Sequence, residues 1–273
     1  MGFFSTSGYN GEYTIPYIII YLHRFTMLDC NAIIYKYSGS KKMRYHCVKD
    51  RLGGLYMENA IITVDDVTKE FKSNCALNHV SVCFERGKIH GIIGRNGSGK
   101  TVLFKCICGL MHPDSGRIMV RGKLIGKDID MPEHIGSIIE APGFLPNYSG
   151  IKNLQFLADI NHFIDKIRIE ESMRIVGLNP HEKKHVGKYS LGMRQRLGLA
   201  QAIMENPDIL ILDEPMNGLD NDGVAEIRAL LKELNAKGTT VLLASHNKAD
   251  IDILCDTVIE MDRGTVISVE SFS

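Results

Sequence analysis

Gly94-Arg-Asn-Gly-Ser-Gly-Lys-Thr101 follows the apolar run Lys88-Ile-His-Gly-Ile-Ile93 and precedes Val102-Leu-Phe-Lys-Cys-Ile107. The eight residues fit G-x-x-x-x-G-K-[ST], and their flanks read as a buried strand before and a helix after. Glycines at 94, 97 and 99 let backbone N–H groups converge on one point at a helix N-terminus, which makes an anion nest. Lys100 then reaches β- and γ-phosphates, and the Thr101 hydroxyl suits Mg²⁺. Average residue frequencies give such a match by chance in about one chain in a hundred of this length. The stretch therefore predicts a nucleotide site in an α/β fold.

Composition agrees with an enzyme-sized core. The chain has 273 residues, 44% of them hydrophobic, enough for one or two domains. A net charge of zero argues against a nucleic-acid footprint. No apolar run reaches the ~18 residues that a membrane span needs. The seven cysteines form no C-x-x-C pair and no Cys/His zinc spacing, so they read as reduced thiols.

Residues 1–56 differ in character from the rest. They hold eight of the ten tyrosines and carry a net charge of +4, against −4 for the remainder. Ile15-Pro-Tyr-Ile-Ile-Ile-Tyr-Leu22 is too short to span and lacks the flanks of a signal peptide. Met57-Glu-Asn-Ala-Ile-Ile-Thr-Val64 resembles a natural start, and Leu52-Gly-Gly54 can be encoded by purine-rich codons suited to ribosome binding. The expectation is upstream translation outside the natural product, poorly ordered. The competing reading is a basic, aromatic extension that touches lipid or a partner.

From Met57 the chain reads as Ala60–Val67, a strand; Ala76–Phe84, a second; a turn at Arg86-Gly87; then the phosphate loop. A turn at His112–Gly116 leads to Arg117–Gly122, which alternates like a half-buried strand. The stretch from about 141 to 205 is helical: Ile151–Ile160, Ile167–Val176 stopped by Gly177, and a helix to Ile203 capped by Ser190. Ile209-Leu-Ile-Leu-Asp-Glu-Pro215 is the second chemical centre. Four branched aliphatics fit a parallel strand buried on both faces, and its acid pair falls where open α/β sheets bind ligands. Asp213 suits Mg²⁺, and Glu214 suits the base that polarises an attacking water. Thr239–Ser245 is a further buried strand that delivers His246 to the same edge, where it can contact a γ-phosphate. Phe71 offers an aromatic face on which a nucleobase can stack.

These motifs, in this order, resemble the nucleotide-binding subunit of ATP-binding cassette (ABC) transporters over essentially all of 57–273. The resemblance implies a P-loop NTPase fold with a mostly parallel core sheet, an antiparallel β subdomain and a helical subdomain at about 141–205. It implies ATP and Mg²⁺ as ligands. Phe71 matches the adenine-stacking aromatic, and Gly94, Asn96, Gly97, Ser98, Gly99, Lys100, Thr101 and Val102 the Walker A region. Asp213 ends the Walker B strand, Glu214 matches the catalytic glutamate, His246 the switch histidine and Asp220 the D-loop. Lys100, Glu214 and His246 are the catalytic set, and Thr101, Asp213 and Glu140 the metal set. Ser190-Leu-Gly-Met-Arg-Gln-Arg196 resembles the family signature, with Ser190 and Gly192 retained.

Two departures point to a branch. Leu191 and Met193 replace signature residues, and Glu140 stands in Ile138-Ile-Glu-Ala-Pro-Gly-Phe-Leu-Pro146 where the family usually has Gln. Both are similar to the bacitracin-resistance and lantibiotic-immunity exporters. The resemblance implies a homodimer, each signature completing the facing site, that drives a separately encoded ABC-2-like permease at the cytoplasmic face of the membrane. Antimicrobial peptide or drug efflux is the cargo class implied. The alternatives are a non-transport ABC ATPase that regulates a cell-envelope complex, and an ATP-binding module that no longer turns over.

Overall fold

The structure, a computed structural model, describes residues 59–72, 74–161 and 164–272, with the backbone of β1 (Val48–Lys49) and β2 (Leu55–Tyr56), an antiparallel pair. The boundary expected at Met57, and most of the segment before it, lie outside the described residues.

β3 (Ala60–Phe71) and β4 (Asn74–Glu85) form a long antiparallel hairpin. β3 runs four residues beyond the expected end at Val67, because β4 keeps pairing with it as far as Phe71–Asn74, and past the bulge in its pairing with β6 it is also held by Asp114. Its carboxylate accepts from the Glu70 backbone N–H at 2.7 Å and pairs with Lys69 at 2.8 Å. The chain continues through β5 (Ile89–Ile93), α1 (Lys100–Ile107), β6 (Ser115–Val120), β7 (Lys123–Leu124) and β8 (Ile135–Ile138). Helices α2 (Gly150–Asn161), α3 (Lys166–Ile175) and α4 (Leu191–Ile203) follow. The last elements are β9 (Ile209–Asp213), α5 (Asn221–Ala236), β10 (Thr240–Ala244), α6 (Lys248–Leu254), β11 (Thr257–Asp262) and β12 (Thr265–Ser271).

The main sheet has the order β12-β11-β5-β10-β9-β8, parallel throughout except for the antiparallel edge strand β12. β9 shows why aliphatic runs were needed. Leu210 and Leu212 face a core built with α2 to α6, whereas Ile209 and Ile211 face a second core around α1. All four are fully buried, and each contributes about 1.5–3 kcal/mol of transfer free energy. α1 lies between this sheet and the antiparallel sheet β4-β3-β6-β7, its Leu103, Phe104 and Ile107 meeting Val64, Phe84 and Ile118.

Local chemistry sets the helix ends. Ser190 caps α4 by accepting from Met193 N–H at 3.1 Å, and Asp220 caps α5 by accepting from Gly223 N–H at 3.0 Å. Gly177, at φ +76°, follows α3 in the left-handed conformation that stops a helix. Parallel pairing leaves the carboxyl ends of β5, β9 and β10 at one edge, and the candidate site forms there.

Candidate functional site

The loop from Gly94 to Thr101 is held in shape from three sides. A Cβ on Gly94 would stand 2.3 Å from the Met261 carbonyl, and one on Gly99 would stand 2.6 Å from the Ala76 carbonyl. Gly264 N–H donates to the Ser98 carbonyl at 3.0 Å. Gly99 adopts φ +102° as the N-cap of α1 and supplies no side chain, so the first N–H groups of the helix remain for an anion. Asn96 and Gly97 form the exposed tip, and Val102 is half-buried on α1. Lys100 is buried, its Nζ donating to the carbonyls of Gly94 at 2.8 Å and Arg95 at 3.1 Å. Its ammonium thus already sits inside the nest. The Ser98 hydroxyl, buried at the same loop, has no hydrogen-bond partner.

Thr101 and Asp213 meet across 112 residues: Thr101 Oγ1 donates to Asp213 Oδ2 at 2.6 Å. Glu214 follows in a left-handed backbone, φ +52°, with its N–H donating to the Ala244 carbonyl at 2.9 Å. Such a conformation costs a non-glycine residue on the order of 1–3 kcal/mol and is found where a side chain must be aimed. His246 Nδ1 lies 2.8 Å from Glu214 Oε2, so β9 and β10 bring the residues just beyond their ends into contact. Glu140 also has a left-handed backbone, φ +64°, and its Oε1 lies 2.6 Å from Lys105 Nζ.

The other predicted residues lie on separate elements, β3 and the first turns of α4 and α5. Phe71 is 43% exposed at the end of β3, with Lys69 Nζ 5.7 Å from its ring centroid. Gly192 packs on the 217–220 loop, where an added Cβ would meet the Gly218 carbonyl at 2.8 Å. Ser190 and Asp220, both exposed, serve as helix caps in this single chain. Glu140 is the one metal-set residue not joined to Thr101 and Asp213 here, because Lys105 holds it.

Sequence reading missed several partners. Lys105 lies four residues after Thr101 on α1, a helical spacing that could have revealed it. Gln195 Nε2 donates to the Glu214 carbonyl at 3.4 Å. Buried Asp250 accepts from the Arg228 Nε at 2.9 Å and from the Ser245 hydroxyl at 2.8 Å, bracing the residue before His246. No local pattern announces either contact. Behind the loop, burial pushes the Cys106 thiol up to about 11 and the Cys108 thiol up to about 12, which keeps both protonated and poor as metal ligands.

The family model described as ABC transporter matches residues 77–217. The chain belongs to the ABC transporter ATP-binding family. A relative in Bacillus subtilis, named as the uncharacterized ABC transporter ATP-binding protein YybJ, is 42% identical over 77% of this chain and 96% of its own length. The bacitracin transport ATP-binding protein BcrA of Enterococcus faecalis is 38% identical over 78% of this chain and 70% of its own. The lantibiotic transport ATP-binding protein SrtF of Streptococcus pyogenes is 32% identical over 76% of this chain and 89% of its own. Among solved structures, the cassette MJ0796, dimeric and bound to ADP and Pi, superposes with a TM-score of 0.71 at 23% identity. That superposition covers 78% of this chain and 99% of the other, and establishes the fold. As an ABC cassette the chain binds and hydrolyses ATP, and its resemblance to the bacitracin and lantibiotic branch holds. Among the described residues, no helix is long and apolar enough to cross a membrane.

Proposed function

We propose that this ABC ATPase powers an exporter in which two copies close on ATP and drive a separately encoded ABC-2-like permease at the cytoplasmic face of the membrane. Antimicrobial peptide or drug efflux is the cargo class, by analogy with the relatives named for bacitracin and lantibiotic transport. The observation that carries the reading is the convergence of Lys100, the Thr101–Asp213 pair and the Glu214–His246 pair on one sheet edge. The cassette is assigned to 57–273, with its helical subdomain at about 141–205.

Each residue has a role in ATP hydrolysis. Phe71 stacks on adenine. The N–H groups of residues 94–102 hold the phosphates, and the buried Ser98 hydroxyl gains a partner there. Lys100 exchanges its loop carbonyls for β- and γ-phosphate oxygens. Glu214 accepts the proton of the water that attacks the γ-phosphorus, as the bond to the ADP oxygen breaks, and His246 orients Glu214 and the γ-phosphate. Thr101 and Asp213 are adjacent hard-oxygen donors, which fits a Mg²⁺ that keeps several waters, with Glu140 available as a further ligand. Bound there, the ion neutralises charge on the phosphate oxygens. Ser190 and Gly192, with Asp220, face a second copy, whose phosphates the α4 N-terminus then caps.

A cavity of about 300 Å³, lined in part by Leu110, Glu140, Phe144, Phe156 and Leu157, lies between the loop that carries Glu140 and helices α2 and α4, and supports docking of a permease segment there. The test is affinity purification of the tagged full chain carrying Glu214→Gln, with ATP, from membranes of the source cell. Co-purification of a polytopic membrane protein is the expected outcome. Recovery of soluble or single-span envelope factors alone would shift the assignment to a regulatory, non-transport ATPase.

A further inference from the structure

The ion pair between Lys105 and Glu140 has no part in the chemistry described above. Lys105 is four residues beyond Thr101 on α1, so the two side chains leave the same face of the helix. Glu140 stands two residues beyond Ile138, whose register partner on β9 is Leu212, so its chain emerges beside Asp213. The lysine is 26% exposed and the glutamate 61% exposed, with 2.6 Å between Nζ and Oε1. Two opposite charges therefore meet at the rim of the Thr101–Asp213 pair, and one of them is a carboxylate in a left-handed backbone.

Magnitude decides what such a pair can do. An ion pair this exposed contributes little net stability, because water screens it and ordering two long side chains costs entropy. It is therefore weak enough to be exchanged. A divalent cation at Thr101 and Asp213 would offer Glu140 a second partner of higher charge.

We propose that Lys105 is a positioning residue that competes with the divalent cation for Glu140, holding the carboxylate back until nucleotide and metal arrive together. This rests on the nucleotide-site reading given above. Lys105 touches no reacting atom in this scheme and acts through Glu140 alone. Removing its ammonium frees the carboxylate as a ligand, and metal affinity then rises only while Glu140 is present.

The experiment is Mn²⁺ binding to the ATP-loaded full chain, followed by electron paramagnetic resonance with no turnover measured. Lys105→Met should raise Mn²⁺ affinity about threefold to fivefold, the most that a weak exposed pair can withhold. In the Glu140→Gln background the same substitution should change it less than twofold, since only long-range charge remains. Lys105→Gln, which keeps a polar head at the helix end, should repeat the pattern and guards against misfolding of the methionine variant. Equal gains in both backgrounds, or no gain in either, overturn the proposal. Absence of any Mn²⁺·ATP binding by the unsubstituted chain overturns the site reading itself, and this inference with it.

Discussion

His246 Nδ1 stands 2.8 Å from Glu214 Oε2, a contact between residues that lie just beyond the ends of two neighbouring parallel strands. The glutamate side chain is 23% exposed and the histidine 69%, so the carboxylate is partly withdrawn from water while the imidazole remains within reach of a ligand. Glu214→Gln keeps the shape and removes the proposed proton acceptor. Turnover should fall about 10²- to 10⁴-fold with ATP affinity little changed, as checked by phosphate release beside equilibrium nucleotide binding.

Thr101 Oγ1 donates to Asp213 at 2.6 Å, and this pair forms the core of the proposed metal donor set. Thr101→Val removes that oxygen donor at nearly unchanged side-chain volume. The Mg²⁺-dependent part of ATP affinity should weaken about tenfold, equal to about 1.4 kcal/mol. Affinity in the presence of chelator should move far less. Titrating nucleotide with and without the metal separates the two, and an equal loss in both would argue against metal binding by Thr101.

Gly136 on β8 approaches α4 so closely that a Cβ would stand 1.9 Å from the Ala202 carbonyl, a backbone atom that cannot swing aside. Gly136→Ala should destabilise the fold by about 1–3 kcal/mol, seen as a lower urea midpoint at unchanged slope. Gly143, in the loop after β8, has open space where its Cβ would go. Gly143→Ala should be neutral or stabilising by up to about 1 kcal/mol.

His90 on β5 is buried against Phe84, edge to face, with its Nε2 2.9 Å from the Glu85 carbonyl. Its Nδ1 lies 2.5 Å from the Thr257 hydroxyl. Burial lowers its pKa from 6.5 to about 4. The folded chain thus refuses a proton that the unfolded chain accepts. Below pH 6.5 this group subtracts stability, increasingly down to about pH 4, where the loss levels off at roughly 3 kcal/mol. Above pH 6.5 it has no effect. His90→Gln should flatten that part of the acid limb in denaturant titrations run at several pH values.

Much of the fold was legible because its signals are local. The unbroken aliphatic run Ile209–Leu212, the cap at Ser190, the stop at Gly177 and the spacing of Gly94 to Thr101 each depend on neighbours along the chain. The structure keeps all four. The end of β3 was less legible, because pairing with β4, continued to Phe71–Asn74, carries the strand past Val67.

The site divides in the same way. The sequence by itself determined which residues are candidates for the chemistry: Lys100, Thr101, Asp213, Glu214 and His246 were marked by motif and strand end. Only the tertiary structure decided their partners. Thr101 finds Asp213 through strand register, Glu140 finds Lys105 across the gap between β8 and α1, and Arg228 with Asp250 braces Ser245. Backbone preference and hydrophobic period act over a few residues, whereas a side-chain pair between distant segments exists only after packing has fixed the distance between them.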